Sequence, residues 1–281
     1  MRGHHVDLGE AWQALRAVHL YPPAVEALLG EAVTAAVLLA ATLKFGGRLT
    51  LQFTGNGGVS LLVAQCTHDF RIRAVAQYQE ELPPLADFAT LVGDGRLAVT
   101  IESGAPGGRY QGIVPLEAAG IAPSLEAYFA SSEQLPTSLR LTVDGSRATG
   151  LLLQRLPQAS SGEAAAATAQ SVWESLQANL RHLTIAELQQ PVEQLLPQIS
   201  GEFDCRVFPP TEVLFHCGCS DGRVSDMLRS LGIDELRDIV REQGSVTVSC
   251  EFCRRDYRLD AIDVEGLFTS GTAPHPAIRP N

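Results

Sequence analysis

The sequence predicts an α+β fold in three parts. Residues 1–157 are expected to form a mixed domain of helices and antiparallel sheet, residues 158–212 a metastable helical linker, and residues 213–281 a small α+β domain. Three observations support this division. Predicted strands follow one another in hairpins, with helices between the groups. The composition changes at Pro157, and four of the six cysteines lie after that point.

The N-terminal part begins with a helix that is predicted to be buried. Pro22-Pro23 opens a helical stretch to about Phe45, and its segment Ala32 to Leu43 is apolar on all sides, as in a core helix. Alternating apolar residues between Leu49 and Phe53 then indicate a half-buried strand. Further strands are expected over Val59–Cys66, Phe70–Tyr78, Arg96–Glu102, Arg109–Leu116, Ser138–Val143 and Arg147–Arg155, with short helices over Leu85–Val92 and Ser124–Ser131.

The middle part has a weaker signal. Gln158 to Gln170 is rich in Ala, Ser, Gly and Thr and is expected to be a flexible joint. Weakly amphipathic helices follow over Ser171–Leu183 and Ile185–Leu196, and Pro191 interrupts the second. Helices this short are marginal unless they pack on another surface, so we expect the linker to fold conditionally.

The C-terminal part is predicted to hold two helices and a hairpin. One helix is capped by Ser220 or Asp221 and a second by Asp234. Ser245–Phe252 and Tyr257–Ile262 are predicted to pair as strands. A unit of about 65 residues gains only a few kcal/mol from its own core and usually needs a crosslink or a metal.

Composition excludes several classes of function. Lys+Arg is 21 and Asp+Glu is 32 in 281 residues, a net charge of −11. This balance disfavours nucleic-acid binding and docking on an anionic membrane. Schiff-base chemistry would depend on Lys44, the only lysine. We therefore expect a protein that binds neither nucleic acid nor an anionic membrane surface.

The N-terminus and the apolar runs indicate a cytoplasmic protein. The first ten residues have no apolar core and carry Asp7 and Glu10, unlike a secretory signal. His4-His5 is too short for a metal-binding tract, and a remnant of an added tag is one interpretation of this pair. The longest apolar run, Ala32 to Leu43, has 12 residues, against about 20 for a membrane span.

Four cysteines form two close pairs. Cys217 and Cys219 make a Cys-x-Cys pair, and Cys250 and Cys253 make a Cys-x-x-Cys pair thirty residues later. Two such pairs flanking a helical insertion can close a tetrahedral zinc site of four thiolates. One zinc ion per chain would join distant parts of a domain that cannot fold on apolar burial alone.

The spacing leaves two interpretations open. Each pair is close enough in sequence to form its own disulfide, although the Cys-x-Cys ring would be tight. Local disulfides close short loops and stabilise the fold least, so oxidation would remove the long-range link without replacing it. A redox sensor that unfolds is one interpretation, and a purely structural, redox-inert zinc site is the other.

The remaining candidate residues are expected to play minor parts. Cys66 ends an apolar strand and is interpreted as a small core residue. Cys205 has no partner nearby in sequence and is taken as incidental. His216 adjoins Cys217 and could replace a ligand, but four thiolates already complete a site.

The cysteine array resembles that of the redox-regulated thirty-three-kilodalton heat-shock chaperones of bacteria. The similarity is not confined to the cysteines. It continues, in chain order, through LLAATLKFGGRLTLQFTGNG, YQGIVPL, SEQLPT, GLLLQRLP and LGIDELRDIVREQGSVTVSCEFC. These segments are spread from Leu38 to Cys253, so the resemblance spans nearly the whole chain.

The resemblance implies an ATP-independent holdase that is inactive when reduced and zinc-bound. It implies zinc ligation by Cys217, Cys219, Cys250 and Cys253, and oxidation to the disulfides Cys217–Cys219 and Cys250–Cys253. Zinc release, unfolding of tail and linker, dimerisation and capture of unfolding client proteins would follow. The client-binding residues are not identified. Relatives carry a basic run after the first pair, where this chain has Ser220-Asp221-Gly222-Arg223.

Two other classes remain as alternatives. A zinc-ribbon nucleic-acid module is disfavoured because the tail from Cys217 onward carries no basic stripe. A thiol–disulfide oxidoreductase would use Cys250 and Cys253, but such pairs usually lie at a helix N-terminus. Here Cys250 follows a predicted strand.

Overall fold

The computed structural model describes residues 1–83, 86–104, 108–117, 119–157 and 163–269. The chain divides into two compact units, Met1–His216 and Cys217–Asn281. The first unit contains strands β1 (Arg2–Asp7), β2 (Arg48–Thr54), β3 (Val59–Thr67), β4 (Arg71–Tyr78), β5 (Arg96–Glu102), β6 (Arg109–Pro115), β7 (Thr137–Val143), β8 (Ala148–Gln154) and β9 (Leu214–Phe215). Its helices are α1 (Gly9–Arg16), α2 (Pro23–Thr42), α3 (Phe88–Val92), α4 (Ile121–Ser131), α5 (Glu163–His182), α6 (Ile185–Leu188) and α7 (Val192–Ser200).

The strands of the first unit form two sheets. The larger has the order β6-β5-β2-β3-β4-β9, and the smaller has the order β1-β8-β7. Every pairing in them is antiparallel except that of β4 with the two-residue strand β9. The predicted α+β class is therefore confirmed.

Helix α2 is the centre of the first unit's core, and it packs against strands of both sheets. It passes very close to β8 at Gly150, where an added Cβ would lie 2.6 Å from Thr34 Cγ2. Glycine is required at this position because any side chain would push the helix off the strand. The core helix that the sequence predicted is confirmed, and it ends at Thr42 rather than Phe45.

The same helix corrects the expectation about membrane spans. By length and composition, Pro23–Thr42 is apolar enough to cross a membrane, which the count of uninterrupted apolar residues missed. However, 72% of its most apolar window is buried inside the protein. A core helix passes the same length test, because it too is apolar on every side.

The N-terminal segment is part of the fold. The interpretation of His4-His5 as a tag remnant is wrong, since β1 pairs with β8 through all six of its residues. Helix α1, which the sequence did not predict, follows directly and buries Trp12 and Leu15. Its eight residues are too few for a clear helical period, so the packing of Trp12 decides the structure.

Two other predicted boundaries shift. The helix expected from Ser124 begins at Ile121, and Ser124 is not its cap but donates a hydrogen bond to the Gly120 carbonyl at 2.7 Å. The short helix predicted over residues 85–92 begins at Phe88 behind the cap Asp87, which accepts from the Thr90 amide. Residue 85 of that prediction lies outside the described residues, as do residues 105–107 between the strands predicted over Arg96–Glu102 and Arg109–Leu116.

The linker region is helical and packs on the smaller sheet. Helix α5 begins at Glu163, eight residues before the predicted start, because its alanine-rich first turns favour helix strongly. The linker's apolar residues form one cluster with two leucines of β8. Its buried members are Leu151, Leu153, Trp173, Leu176, Leu180, Leu183, Leu188, Leu195 and Ile199. Residues 158–162 of the predicted joint are outside the described residues.

The second unit is built around a small core. It contains helices α8 (Asp221–Leu231), α9 (Ile233–Gln243) and α10 (Ala261–Phe268), and the hairpin of β10 (Val246–Ser249) with β11 (Asp256–Leu259). Its buried hydrophobic residues are Val224, Leu228, Leu236, Val246, Tyr257, Leu259, Val264 and Leu267.

Caps explain where the helices of the second unit begin. Ser220 caps α8 as predicted, accepting from the Arg223 amide. The expectation that Asp234 caps α9 is wrong, because Gly232 occupies that position with a φ of 92°. Helix α10 was not predicted, although Asp260 and Asp263 form a capping box at its start.

Candidate metal centre

The first cysteine pair is held by the start of α8. Cys217 and Cys219 flank Gly218, whose carbonyl accepts a hydrogen bond from Arg223 Nη1 at 2.7 Å. Arg223 lies in the first turn of the helix that Ser220 caps. The helix N-terminus therefore fixes the loop that carries both sulfurs.

The second pair lies in the turn of the β10–β11 hairpin. Cys250 follows β10, and its amide donates to the Arg255 carbonyl at 2.9 Å. The Arg254 amide in turn donates to the Cys250 carbonyl at 2.8 Å, and Arg254 takes a left-handed φ of 56°. This tight turn places Cys253 on the same side as Cys250, facing the first pair.

The structure brings all four predicted thiols together. Their sulfur atoms lie within 4.8 Å of one another. The shortest contacts join the two pairs, with Cys217 Sγ 3.6 Å from Cys250 Sγ and Cys219 Sγ 3.3 Å from Cys253 Sγ. None of the six cysteines is in a disulfide, and all four clustered residues are half-buried.

These distances fit a tetrahedral metal. Four sulfurs at about 2.3 Å from one zinc ion would be about 3.8 Å apart. The observed spacing of 3.3 to 4.8 Å brackets that value. A set of four thiols is also the donor set that zinc prefers in closed structural sites. The group can therefore hold one metal ion without rearrangement of the backbone.

The thiols differ in acidity. Burial raises the pKa of Cys217 and of Cys253. Burial also opposes ionisation of Cys219, but the Tyr257 hydroxyl and the neighbouring thiols outweigh it and lower the pKa of Cys219 to about 7. Cys219 therefore ionises more readily than Cys217 and Cys253. A bound cation would favour loss of the remaining protons.

Two of the sulfurs have backbone amide donors: the amide of Cys219 serves Cys217, and the amide of Arg255 serves Cys253. Amide donors orient thiolate ligands and spread their charge. The side chain of Tyr257 is only 2% exposed and influences the pKa of Cys219, but its hydroxyl makes no hydrogen bond of standard geometry in the part of the chain that the structure describes.

The remaining sequence candidates lie apart from the cluster. Cys66 is buried in β3, and burial together with Asp69 raises its pKa to about 12, as expected of an inert core thiol. Cys205 is exposed. His216 is not in the group of metal-binding side chains; its amide donates to the Ile72 carbonyl at 2.9 Å.

Sequence reasoning missed Arg223 and Tyr257. In the sequence, Arg223 is only part of a weakly basic run, whereas in the structure its side chain binds the Gly218 carbonyl. The sequence predicts Tyr257 only as a strand residue. Its alternation with Leu259 in β11 predicts burial, and a buried tyrosine hydroxyl usually has a partner, so the signal was present.

Comparison with known proteins agrees with this arrangement. The family model described as "Hsp33 protein" matches residues 1–260. A "33 kDa chaperonin" of Nitrosococcus oceani is 40% identical over 270 residues, covering 96% of this chain and 90% of that protein. One from Pseudomonas paraeruginosa is 41% identical over 280 residues, covering 99% and 93%.

A solved structure extends the similarity to three dimensions. The crystal structure of the 33 kDa chaperonin from Thermotoga maritima matches with a TM-score of 0.81 at 27% identity, covering 94% of this chain and 93% of that one. The resemblance found in the sequence is therefore confirmed, and the chain belongs to the Hsp33 family of chaperones.

Proposed function

We propose that this protein is a redox-regulated, ATP-independent holdase of the cytoplasm, with no enzymatic activity. In the reduced state it holds one zinc ion and is inactive. Oxidation releases the metal, unfolds the second unit and the linker, and yields a homodimer that captures unfolding client proteins. The observation that carries this proposal is the convergence of four thiols from sequence positions 217 to 253 in a unit whose described residues include eight buried hydrophobic side chains.

The metal would supply most of the stability of the second unit. Cys217, Cys219, Cys250 and Cys253 would bind it as thiolates, which joins the start of α8 to the hairpin turn. Structural zinc contributes on the order of 10 kcal/mol to small domains at neutral pH. An eight-residue core alone supplies only a few kcal/mol at this size.

Oxidation converts the four thiolates to two disulfides. A thiolate attacks peroxide and forms a sulfenic acid and hydroxide, and a second thiolate displaces hydroxide to give the disulfide. Each disulfide consumes one peroxide molecule. We propose the pairs Cys217–Cys219 and Cys250–Cys253, which close rings of a few residues and leave the two chain segments unlinked.

The positions of the sulfurs permit cross-pair disulfides as well as within-pair ones. The shortest sulfur contacts, 3.3 and 3.6 Å, are between the pairs, so cross-pair disulfides would need no large movement. Cross-pair disulfides would keep the long-range link and the fold. Within-pair disulfides remove it, and only these can report oxidation by unfolding.

The linker supplies the surface that unfolding would expose. Side chains of α5, α6 and α7 pack on Leu151 and Leu153 of β8. Polar contacts accompany this packing, among them the hydrogen bonds from Arg140 Nη2 to the Leu183 carbonyl at 3.2 Å and from Gln177 Nε2 to the Ser138 hydroxyl at 2.9 Å. Undocking would uncover a contiguous apolar patch, and such patches bind other unfolded chains.

One experiment tests the switch. Reduced, zinc-loaded protein is treated with hydrogen peroxide at mildly raised temperature. Zinc release is followed with a chromogenic chelator, disulfides are mapped by mass spectrometry, and aggregation of a chemically denatured test enzyme is followed by light scattering without ATP. We expect one zinc released per chain, within-pair disulfides, and suppression of aggregation.

The matched control is Cys205→Ser, which removes an exposed thiol outside the cluster and should behave as the wild type. Equal suppression by the reduced, zinc-loaded protein would contradict the switch. Cross-pair disulfides with an unfolded tail would contradict the mechanism given for it.

A further inference from the structure

We infer that the Tyr257 hydroxyl is a positioning residue of the metal centre, which donates a hydrogen bond to the Cys219 thiolate when the metal is bound. This inference rests on the proposed zinc site and adds a residue from outside the set of ligands.

The first argument is the burial of the hydroxyl. Tyr257 is 2% exposed and belongs to the core of the second unit. Its hydroxyl oxygen is buried and makes no hydrogen bond of standard geometry to protein atoms in the part of the chain that the structure describes. A buried hydroxyl without a partner costs about 1–3 kcal/mol, so its retention needs a reason.

The second argument is the neighbour of the hydroxyl. Tyr257 pairs with Val248 in the hairpin, and Val248 and Cys219 both pack against the core that contains the tyrosine ring. The Tyr257 hydroxyl and the Cys219 thiol also influence each other's pKa, as the Tyr257 hydroxyl and the Arg255 guanidinium do. A neutral thiol is a weak acceptor, whereas a metal-bound thiolate is a strong one. The missing partner is therefore the charged form of this sulfur.

The third argument is charge. Four thiolates around one divalent cation carry a net charge of −2, which is costly in a half-buried site. Cys217 and Cys253 have backbone amide donors that spread this charge. Because these donors are backbone amides, no side-chain substitution removes them. The donor to Cys219 is a single oxygen atom that Tyr257→Phe deletes while the buried ring remains.

Two roles for the hydroxyl make opposite predictions. If it serves only the apolar core, Tyr257→Phe removes an unsatisfied group and leaves metal binding unchanged, with equal or higher stability. If it donates to the thiolate, the variant keeps its fold with zinc but binds zinc about 10-fold more weakly, the lower end of the effect of losing such a partner.

The test compares wild type, Tyr257→Phe and Tyr128→Phe in the full-length reduced chain. Tyr128 is a buried tyrosine of the first unit whose hydroxyl donates to Glu133 at 3.0 Å, so its variant controls for the loss of a tyrosine hydroxyl. Zinc affinity is measured by competition with a chelator of known affinity. Each protein is also loaded with Co²⁺, and the sulfur-to-cobalt charge-transfer band is recorded.

We expect weaker zinc binding by Tyr257→Phe alone, and a shift of its cobalt band to longer wavelength, because a thiolate without its donor is more electron-rich. Unchanged affinity overturns the inference, as does weaker affinity without a band shift, which indicates a structural role. Failure of the wild type to bind zinc would instead refute the proposed function.

Discussion

The two compact units differ in how much apolar material holds them together. Among the described residues, the main core of the first unit contains 37 buried hydrophobic residues, around a 20-residue helix that packs on both sheets. The core of the second unit contains eight. On the proposed function, the first unit can lose one interaction and stay folded, whereas the second depends on the metal held by the four thiols. A single chain would then combine a stable unit with one whose folding oxidation can reverse.

The linker helices lie between these extremes. They cluster with the first unit, but their own apolar cluster has nine buried residues, two of which belong to β8. Pro197 lies inside α7, where it removes one helical hydrogen bond. This region is therefore expected to unfold more readily than the sheets it covers.

The largest expected effect is the loss of one ligand. Cys253→Ser should abolish stoichiometric zinc binding and unfold the second unit, since the metal contributes on the order of 10 kcal/mol. Hydrogen exchange should show loss of protection from α8 through α10 and little change in β2, β3 and β5. Protection retained in α8 and the hairpin would show that the small core folds without the metal. The two units would then not differ in the way described above.

A smaller effect is expected from the linker cluster. Leu195 is fully buried, so Leu195→Ala should destabilise the docked linker by about 2–5 kcal/mol and lower the temperature at which peroxide activates the protein. Ile185, in α6, is 61% exposed, and Ile185→Ala is the matched control. The measurement is light scattering of a denatured enzyme over a temperature series. Identical activation temperatures for the two variants would show that linker docking does not limit activation.

The smallest expected effect lies in the first unit. Glu31, in α2, faces a cleft of about 330 Å³ that Glu126, Arg140 and Arg181 also line. Burial raises the pKa of Glu31 from 4.5 to about 7. The protonated form is therefore favoured by folding, and the stability it contributes at low pH is lost as the pH rises through 7.

Glu31→Gln should accordingly raise the melting temperature at pH 8 by a few degrees and change it little at pH 4.5. Thermal melting of the zinc-loaded protein at both pH values checks this. An equal shift at the two values would show that the carboxyl is not the cause.

The sequence predicted the elements with a strong local signal. Residue propensity and hydrophobic pattern agree for the core helix, for the hairpins and for the cap at Ser220. Sequence-based prediction failed for β1 and α1. The two histidines of β1 show no pattern that distinguishes a strand from an added segment, and α1 is too short for a clear helical period. Their structure depends on pairing with β8, which lies about 150 residues away in sequence.

The candidate metal centre was predictable in its ligands and not in its surroundings. Cysteine spacing identifies the sulfurs because few other uses explain two close pairs. The contacts of Arg223 and Tyr257 depend on how a loop and a hairpin face each other, which no local pattern encodes.

Strand β8 is buried on both faces, with Leu152 in the main core and Leu151 and Leu153 under the linker. If the linker undocks as proposed, Leu152 continues to anchor the strand, so the uncovered surface is already rigid. A preorganised surface loses little conformational entropy on binding, unlike a segment that must fold around each client. Such a surface would therefore gain affinity for exposed apolar segments without having to fold first.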